Sequence, residues 1–519
     1  MLAANRAQLQ GLPLDPTSTG RAQRVAATSG TIAAMRLAWF SPLPPVRSGI
    51  SAYSVDVLDG LRHRHAVDLY VEDRVWHAAG GHLHAGRGAA IVPLAGPWQL
   101  PLYRAYDFAV RHDREPYDLI VYQIGNAPCH GFMWPYLLCW PGLVVLHDAA
   151  VHHARAQALL ADRRAEDYRA EFRFNHPGID PRVADYVVAG LEGSPYYLWP
   201  MLRTVVSRAR AVAVHGPTLR AALAEEWPDT PFTTISMGVP DPCDVAGTGH
   251  RARDAGHRAT GCGHQAEVGA LTMSTFGLIT PEKRILPILR ALAAIRDELP
   301  ALRLRLVGEI DAHYALWADV AHTGTGDLIE VTGYVSDEEL AHELLQADVC
   351  LCLRWPTAHE TSASWLRCLA AGKATVISDL SSTVDVPSLD PRHWQLKHTE
   401  ATAATVFQPG DPGRAVAVSV QLDDEEAMLR QALRRLASDA SLRAALGRRA
   451  REWWQGAHTL PRMQRDYGAA VEWAATQNDP SWTDGVPAHL QPDPSAWARQ
   501  LVAPFALDGG VDILDAEPP

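Results

Sequence analysis

A chain of 519 residues with 47% hydrophobic and 20% charged residues has the composition of a globular protein of several domains, at roughly 100–200 residues each, and not of a disordered, collagen-like or disulfide-stapled polypeptide. A formal net charge of −12 argues against a general nucleic-acid binder, yet leaves room for a local basic site that holds a phosphorylated ligand. The longest apolar stretch, around Leu137–Leu146, is broken by Pro141 and Gly142 and falls short of the roughly 20 residues that cross a bilayer. Seven thinly spread cysteines suit a reduced, intracellular protein.

Residues 1–34 are rich in Ala, Gly, Thr, Ser and Pro and show no apolar periodicity. They read as a disordered leader lacking the apolar region of a secretory signal, and the fold is expected to begin at Met35. From there short apolar runs alternate with helical patterns, the sequence form of a parallel sheet covered on both faces. Strands are expected at Leu37–Phe40, Val67–Tyr70, Leu119–Tyr122, Leu143–Leu146, Val212–Val214 and Thr233–Ile235, in a first domain over 35–240, with helices crowded between Ala149 and Arg208. Segment 241–269 exchanges the apolar pattern for Gly, His and Arg and reads as a linker. Its His250, His257, Cys262 and His264 lack paired Cys-x-x-Cys spacing and read as a solvated loop rather than a zinc site.

A second alternation over 270–455 places strands at Thr272–Phe276, Leu302–Val307, Ile329–Val331, Val349–Leu353 and Thr375–Ser378, and helices at Glu425–Ser438 and Ser441–Trp454. The last helical pattern, Arg462–Ala475, within a segment 456–475, is expected to pack back on the first domain; 476–519 is an acidic tail with Pro and Trp. The fold class is α/β, with two Rossmann-like, doubly wound parallel-sheet domains.

In open α/β sheets ligands gather beyond the carboxyl ends of strands, where helix N-termini offer free N–H groups. Three junctions have suitable chemistry. After Phe40, Ser48 is a helix cap and Gly49 lets a ligand approach backbone. After Gly277, Thr280 is expected to cap a helix starting at Pro281, so that Lys283 and Arg284 fall in its first turn. Cations are unfavourable there unless an anion shares the site. After Leu353, Thr361 or Ser362 is expected to cap a helix and leave Glu360 just outside it, either complementing the dipole or accepting hydrogen bonds from ligand hydroxyls.

These junctions lie in strings that resemble, in order and spacing, the retaining glycosyltransferases of family 4: WFSPLPPVRSGISAYS, VYQIGNAPCHGFMWPYLL, VVLHDAAVHH, ISMGVPDP, FGLITPEKR, LRLRLVGE, VTGYVSDEELAHELLQADVCLCLR and RWPTAHETSASWLRCLAAGKATVISD. The resemblance runs from about Met35 to Ala475 and implies the GT-B architecture, two Rossmann-like domains facing across a cleft. It implies transfer of a hexosyl group from a nucleotide-diphosphate sugar, held mainly by the C-terminal domain, to a glycan, lipid-linked or small-molecule acceptor held mainly by the N-terminal one. Anomeric configuration is retained, without a metal or further cofactor, in polysaccharide or glycoconjugate biosynthesis.

Carried over by position, Gly49 matches the glycine at the donor phosphates, Lys283 the diphosphate lysine with Arg284 a second cation, and Gly333, Tyr334 and Val335 the loop near the nucleobase. Glu360 matches the acidic residue on the sugar hydroxyls, and the Thr361 and Ser362 amides lie where the family holds phosphate. His130 and His147 are the candidates for the histidine facing the transferred sugar, His130 being favoured because it follows the Gly125-Asn126 turn. Two positions depart from the family. Leu278 replaces an arginine frequent after the glycine of the diphosphate strand, and the second glutamate that usually grips ribose is replaced, by Cys368 on spacing from Glu360 or by Arg367 when aligned on Gly372.

No Asp-x-Asp pair occurs in the chain, so a metal-bridged donor is not expected, and the diphosphate charge falls to Lys283, Arg284 and helix N-termini. The partners so implied are a nucleotide sugar and its acceptor, without nucleic acid, in the cytoplasm, with peripheral attachment to the inner membrane face a further expectation. Two rival readings are a catalytically silent nucleotide-sugar-binding partner of a polysaccharide assembly and a nucleotide-sugar epimerase of the same architecture.

Overall fold

The computed structural model describes residues 34–78, 90–93, 99–245, 271–397, 414–481 and 485–491. The expected leader, most of the expected linker with His250, His257, Cys262 and His264, and most of the acidic tail lie outside them. The chain divides into two units, Met1–Ile235 with Gln464–Pro519, and Ser236–Met463.

Unit 1 is built on eight strands: β1 (Arg36–Phe40), β2 (Ala66–Val71), β3 (Ala90–Pro93), β4 (Gln99–Arg104), β5 (Leu119–Ile124), β6 (Leu143–Leu146), β7 (Ala211–Val214) and β8 (Phe232–Thr234). They run in the order β3-β4-β2-β1-β5-β6-β7-β8, parallel throughout except for antiparallel β3 against β4. In the centre Leu37 of β1 pairs Val67 on one side and Leu119 on the other. Every residue of β5, β6 and β7 is buried, which is why these strands read as unbroken apolar runs without alternation.

Strands β3 and β4 carry no such signal. Pro93 and Pro101 interrupt them, and they extend the edge of the sheet, where proline is tolerated.

One face of this sheet holds an aromatic core: the Phe40 ring stacks on Tyr70 at 5.0 Å, meets Phe108 edge-on at 5.1 Å and touches Tyr122 and Tyr136. On the other, Trp39 packs on Tyr467 at 5.7 Å. Tyr467 lies in the helix Leu460–Ala475, which from Gln464 onward belongs to unit 1. Gln464 Nε2 donates to the Asp56 carbonyl at 2.9 Å.

In and just after the short helix Ser194–Leu198, Tyr196 and Trp199 pack against the core while Leu198 is exposed. Val486 and Leu490 of the tail are buried with Leu138 and Phe174, beside a buried Arg155–Glu171 pair that His489 Nε2 joins at 2.8 Å.

Unit 2 also has eight strands: β9 (Leu271–Phe276), β10 (Leu302–Val307), β11 (Ile329–Val331), β12 (Val349–Cys352), β13 (Ala374–Ser378), β14 (Ser388–Asp390), β15 (Gln395–Leu396) and β16 (Ala417–Val420). Their order is β11-β10-β9-β12-β13-β16-β14-β15, and only the β14–β15 pair is antiparallel. The short β14, β15 and β16 are additions to the expected set. The helices Glu425–Ser438 and Ala440–Ala457 close the unit. Gly447 in the second lies against Gly372, whose φ is +66°; a Cβ on Gly447 would fall 2.1 Å from the Gly372 carbonyl oxygen.

Both sheets reverse direction beside their first strand. In unit 1 the reversal falls between β1 and β5, and in unit 2 between β9 and β12. The crevice beyond the carboxyl ends of such a pair is the usual ligand position in a doubly wound sheet; Gly49, His130, Lys283 and Glu360 follow these four strands, whereas His147 follows β6 and Gly333, Tyr334 and Val335 follow β11. Among the described residues no helix is long and apolar enough to cross a membrane.

Candidate functional site

In unit 2 the chain leaves β9 at Gly277, held at φ +87°. A Cβ there would lie 3.1 Å from Ser364 Oγ and 3.3 Å from Lys283 Nζ, so only glycine leaves the two side chains their places. The next segment corrects the expected helix start. Pro281–Lys283 forms a single 3-10 turn, Thr280 makes no side-chain cap, and Arg284 is left-handed at φ +59° before the helix Ile285–Ile295 begins. Burial of Ile285, Ile288, Leu289, Leu292 and Ile295 sets the helical register from the apolar stripe onward, and the left-handed residue joins it to the turn.

This kink sends the neighbouring cations apart. Lys283 is buried and its ammonium donates to the Phe276 carbonyl. Arg284 instead forks onto buried Glu425, with Nε 2.9 Å and Nη2 2.5 Å from Oε2, and lines a separate cavity of about 630 Å³ among Arg290, Tyr314, Asp319, Asp423 and Asp424. Burial, with Arg354 adding like-charge repulsion, pulls the Lys283 ammonium down to about 8.

The loop after β12 supplies the facing groups. Arg354 N donates to Ser378 Oγ at 2.9 Å, and Trp355 N donates to the Glu282 carbonyl at 2.7 Å, tying this loop to the Lys283 turn. Glu360 is held within it: one carboxylate oxygen pairs with the Arg354 guanidinium, the other accepts from Thr357 Oγ1 and the Ala358 amide, each at 2.8 Å. His359 between them has φ +58°. Ser362 caps the helix Ala363–Ala370 by accepting from Trp365 N at 3.2 Å, as expected for that junction, and half-buried Thr361 precedes it.

Farther out, Arg367 faces Asp337 at 3.3 Å. Gly333 has φ +72°, Tyr334 is 62% exposed, and Val335 packs onto a cluster containing Phe276, Val307 and Leu344.

In unit 1, Gly49 is the first residue of the helix Gly49–Leu61, capped by Ser48, whose Oγ accepts from Ser51 N at 3.0 Å. A Cβ on Gly49 would meet nothing within 4 Å. After β5, a Cβ on Gly125 would lie 2.9 Å from His130 Nε2 and 3.2 Å from Asp148 Oδ2. Asp148 holds the following turn by accepting from Asn126 N at 2.7 Å, and Asn126 Oδ1 accepts from Ala154 N at 3.1 Å. His130 is buried, with Nδ1 2.8 Å from the Gln123 carbonyl. Burial lowers its pKa to about 4, so the neutral ring donates through Nδ1–H and Nε2 keeps its lone pair beside Gly125.

His147 has both nitrogens engaged in the core. Its Nδ1 lies 3.1 Å from His215 Nε2 and its Nε2 lies 2.8 Å from the Gln123 side-chain amide; His215 Nδ1 is 3.0 Å from the Ile235 carbonyl. Burial holds both rings below the usual histidine range, His215 at about 4. Ile235 can only accept, so His215 carries its proton on Nδ1 and accepts at Nε2 from His147 Nδ1–H. The atom placed against His147 Nε2 is Gln123 Oε1, and since two acceptors cannot bond, this proton order requires the flipped Gln123 amide, with its NH₂ toward the ring.

The junction after β5 brings His130, Asn126 and Asp148 together at Gly125, while His147 belongs to an interior chain with His215. Arg354, Ser364 and Asp148 were not singled out from sequence, because their roles depend on loops meeting across strands that are distant along the chain. A strand-end position was the available signal for Arg354. Among the described residues no group of three or more His, Cys, Asp or Glu side chains is placed to hold a metal.

Residues 270–424 match the sequence model of the family described as Glycosyl transferases group 1. No curated protein matches the chain. Among solved structures, the sucrose-phosphate synthase (tll1590) from Thermosynechococcus elongatus has a TM-score of 0.54 at 14% identity, covering 85% of this chain and 98% of its own. Anabaena Alr3699/HepE in complex with UDP has 0.51 at 13%, covering 85% and 100%. A glycosyltransferase from Rickettsia africae ESF-5 has 0.50 at 13%, covering 85% and 98%. The fold is therefore GT-B, and its segment 270–424 is similar to the glycosyl transferases group 1 family.

Proposed function

We propose that the chain is a glycosyltransferase that moves a hexosyl group from a nucleotide-diphosphate sugar to a glycan, lipid-linked or small-molecule acceptor, with retention of anomeric configuration and without a metal, in polysaccharide or glycoconjugate biosynthesis. The observation that carries this reading is Lys283: a buried ammonium, beyond the carboxyl end of the strand where the sheet reverses, facing a loop that holds Glu360.

Breaking the anomeric C–O bond leaves negative charge on the departing diphosphate, and a fixed cation in a dry site stabilises it most. Glu360 is the group for sugar hydroxyls, Gly49 and the Ser362 and Thr361 amides the backbone for phosphate, and Gly333 and Tyr334 the loop for the base. His130, neutral and with a free lone pair on Nε2, serves the transferred sugar. In a front-face displacement the departing phosphate oxygen takes the acceptor's proton as the new glycosidic bond forms, so no protein nucleophile is required.

The HepE structure contains UDP, which makes UDP-sugars the first donors to assay, followed by GDP- and ADP-sugars. Lys283→Ala is expected to abolish donor turnover with the fold intact; turnover at the parental rate refutes the assignment. A second reading, donor binding without transfer, is favoured by Arg367, which stands where the family has a glutamate and faces Asp337. It predicts nucleotide binding with neither transfer nor donor hydrolysis.

A further inference from the structure

Four observations converge at the end of β9 and β12. The Arg354–Trp355 segment is hydrogen-bonded to the Lys283 turn through Trp355 N and the Glu282 carbonyl, at 2.7 Å. Lys283 and Arg354 are near enough to repel one another. Among the described residues Arg354 uses one nitrogen, Nη1, on Glu360, and its side chain is 34% exposed, so the rest of a five-donor fork is bonded to no described side chain and can serve a ligand. Arg284, the cation adjacent to Lys283 in sequence, is committed to Glu425. Two cations share one strand-end crevice, and among the described residues the carboxylate bonded to either of them is Glu360.

We propose that Arg354 is the second cation of the diphosphate site and that Glu360 is its resident counter-ion, exchanged for ligand phosphate when the donor binds. The inference rests on the donor site proposed above and deepens it. Without ligand, the Arg354–Glu360 pair keeps a guanidinium in place and offsets part of the repulsion from Lys283. A diphosphate carries more charge than a carboxylate and presents oxygens to both cations at once. It takes over the fork, and the Glu360 oxygen released from Arg354 becomes available to a sugar hydroxyl. Its other oxygen stays anchored by Thr357 and Ala358, so the exchange needs no rearrangement of the loop.

The test is titration calorimetry on the full chain with inorganic pyrophosphate, and with UDP, GDP and ADP, for the parent and Arg354→Ala, Arg354→Lys and Glu360→Gln. Loss of a charge-assisted, forked contact predicts at least about tenfold weaker pyrophosphate binding for Arg354→Ala, with partial recovery in Arg354→Lys. Glu360→Gln keeps the loop's hydrogen-bonding shape and removes the competing charge, so pyrophosphate binds about threefold or more tighter. Opposite signs for the two substitutions separate ligand binding from bracing of the loop, which would weaken binding in both.

The inference is overturned if Arg354→Ala binds within twofold of the parent, if Glu360→Gln weakens binding, or if the parent binds neither pyrophosphate nor any of the three nucleotides. If the pyrophosphate signs hold but no nucleotide sugar is turned over, the anion site stands and the transferase reading falls. If a donor is turned over but Arg354→Ala is silent, the reverse is established.

Discussion

Replacing Lys283 by methionine is expected to stabilise the ligand-free protein while removing donor turnover. The ammonium sits at about 8 against its ordinary 10.5, chiefly because burial penalises the charge and secondarily because Arg354 repels it. At neutral pH the folded protein therefore carries an unfavourable charge worth roughly 3 kcal/mol. Methionine follows the same channel as an unbranched apolar chain, but forfeits the hydrogen bond to the Phe276 carbonyl, a loss of about 1.5–3 kcal/mol for a charged donor. The net expectation is a gain of up to about 1.5 kcal/mol, an order-of-magnitude difference between these two terms.

The pH dependence is the sharper readout. Between about 8 and 10.5 the unfolded chain keeps a proton that folded Lys283 has released, so this residue's contribution to stability rises with pH across that window. Urea unfolding of parent and variant from pH 7 to 10 isolates it: the parent should gain on Lys283→Met by up to about 3 kcal/mol as pH rises. A bound diphosphate reverses the penalty, so binding above pH 8 takes up a proton, measurable by calorimetry in buffers of different ionisation heat. A parent-minus-variant difference that stays flat from pH 7 to 10 refutes the account of Lys283 as a strained, anion-seeking cation.

Three further outcomes are expected. Gly447→Ala places a Cβ 2.1 Å from the Gly372 carbonyl oxygen, forcing its helix away from the turn that follows the helix Ala363–Ala370 at a cost of about 3 kcal/mol; a melting temperature within a degree of the parent's contradicts this packing. Glu171→Ala leaves Arg155 buried without its carboxylate and should cost about 3–5 kcal/mol, with faster proteolysis near the 485–491 segment that His489 anchors. Burial alone would raise the Glu171 carboxyl, but Arg155 and His489 override it and bring it to about 2. Its stabilisation is therefore full above the ordinary 4.5 and is lost as pH falls from there toward 2, a slope that Glu171→Gln should remove. His147 and His215 act at milder acidity: below about pH 6.5 the unfolded chain binds protons that the buried rings refuse until about 4 for His215. Stability should decline across that interval, and nitrogen NMR of labelled histidine should show both rings neutral with the proton on Nδ1; a charged His147 at pH 6 would break the proposed proton order.

The amino-acid sequence by itself determined the alternation of strands and helices in both halves. Strands buried on two faces, such as β5 with Leu119–Ile124, must be apolar at every position, and that demand is local. For the same reason the junctions were legible: Ser48 and Ser362 cap the helices expected of them, and Gly49, Lys283 and Glu360 all follow strand ends. What remained hidden depends on partners far along the chain. Strands β3, β4, β14 and β15 lie toward sheet edges and are completed by neighbours rather than by their own composition. Lys283 and Arg284 are equivalent in sequence, and only the left-handed turn at Arg284, with Glu425 waiting 141 residues away, separates a cation in the strand-end crevice from a structural one. His130 and His147 are likewise two loop histidines until the fold places one beside Gly125 and ties the other to His215, 68 residues on. Burial and backbone direction are written residue by residue, whereas the charge a side chain meets is a property of the assembled loops, and that is why chemistry at this site was decided by the tertiary structure.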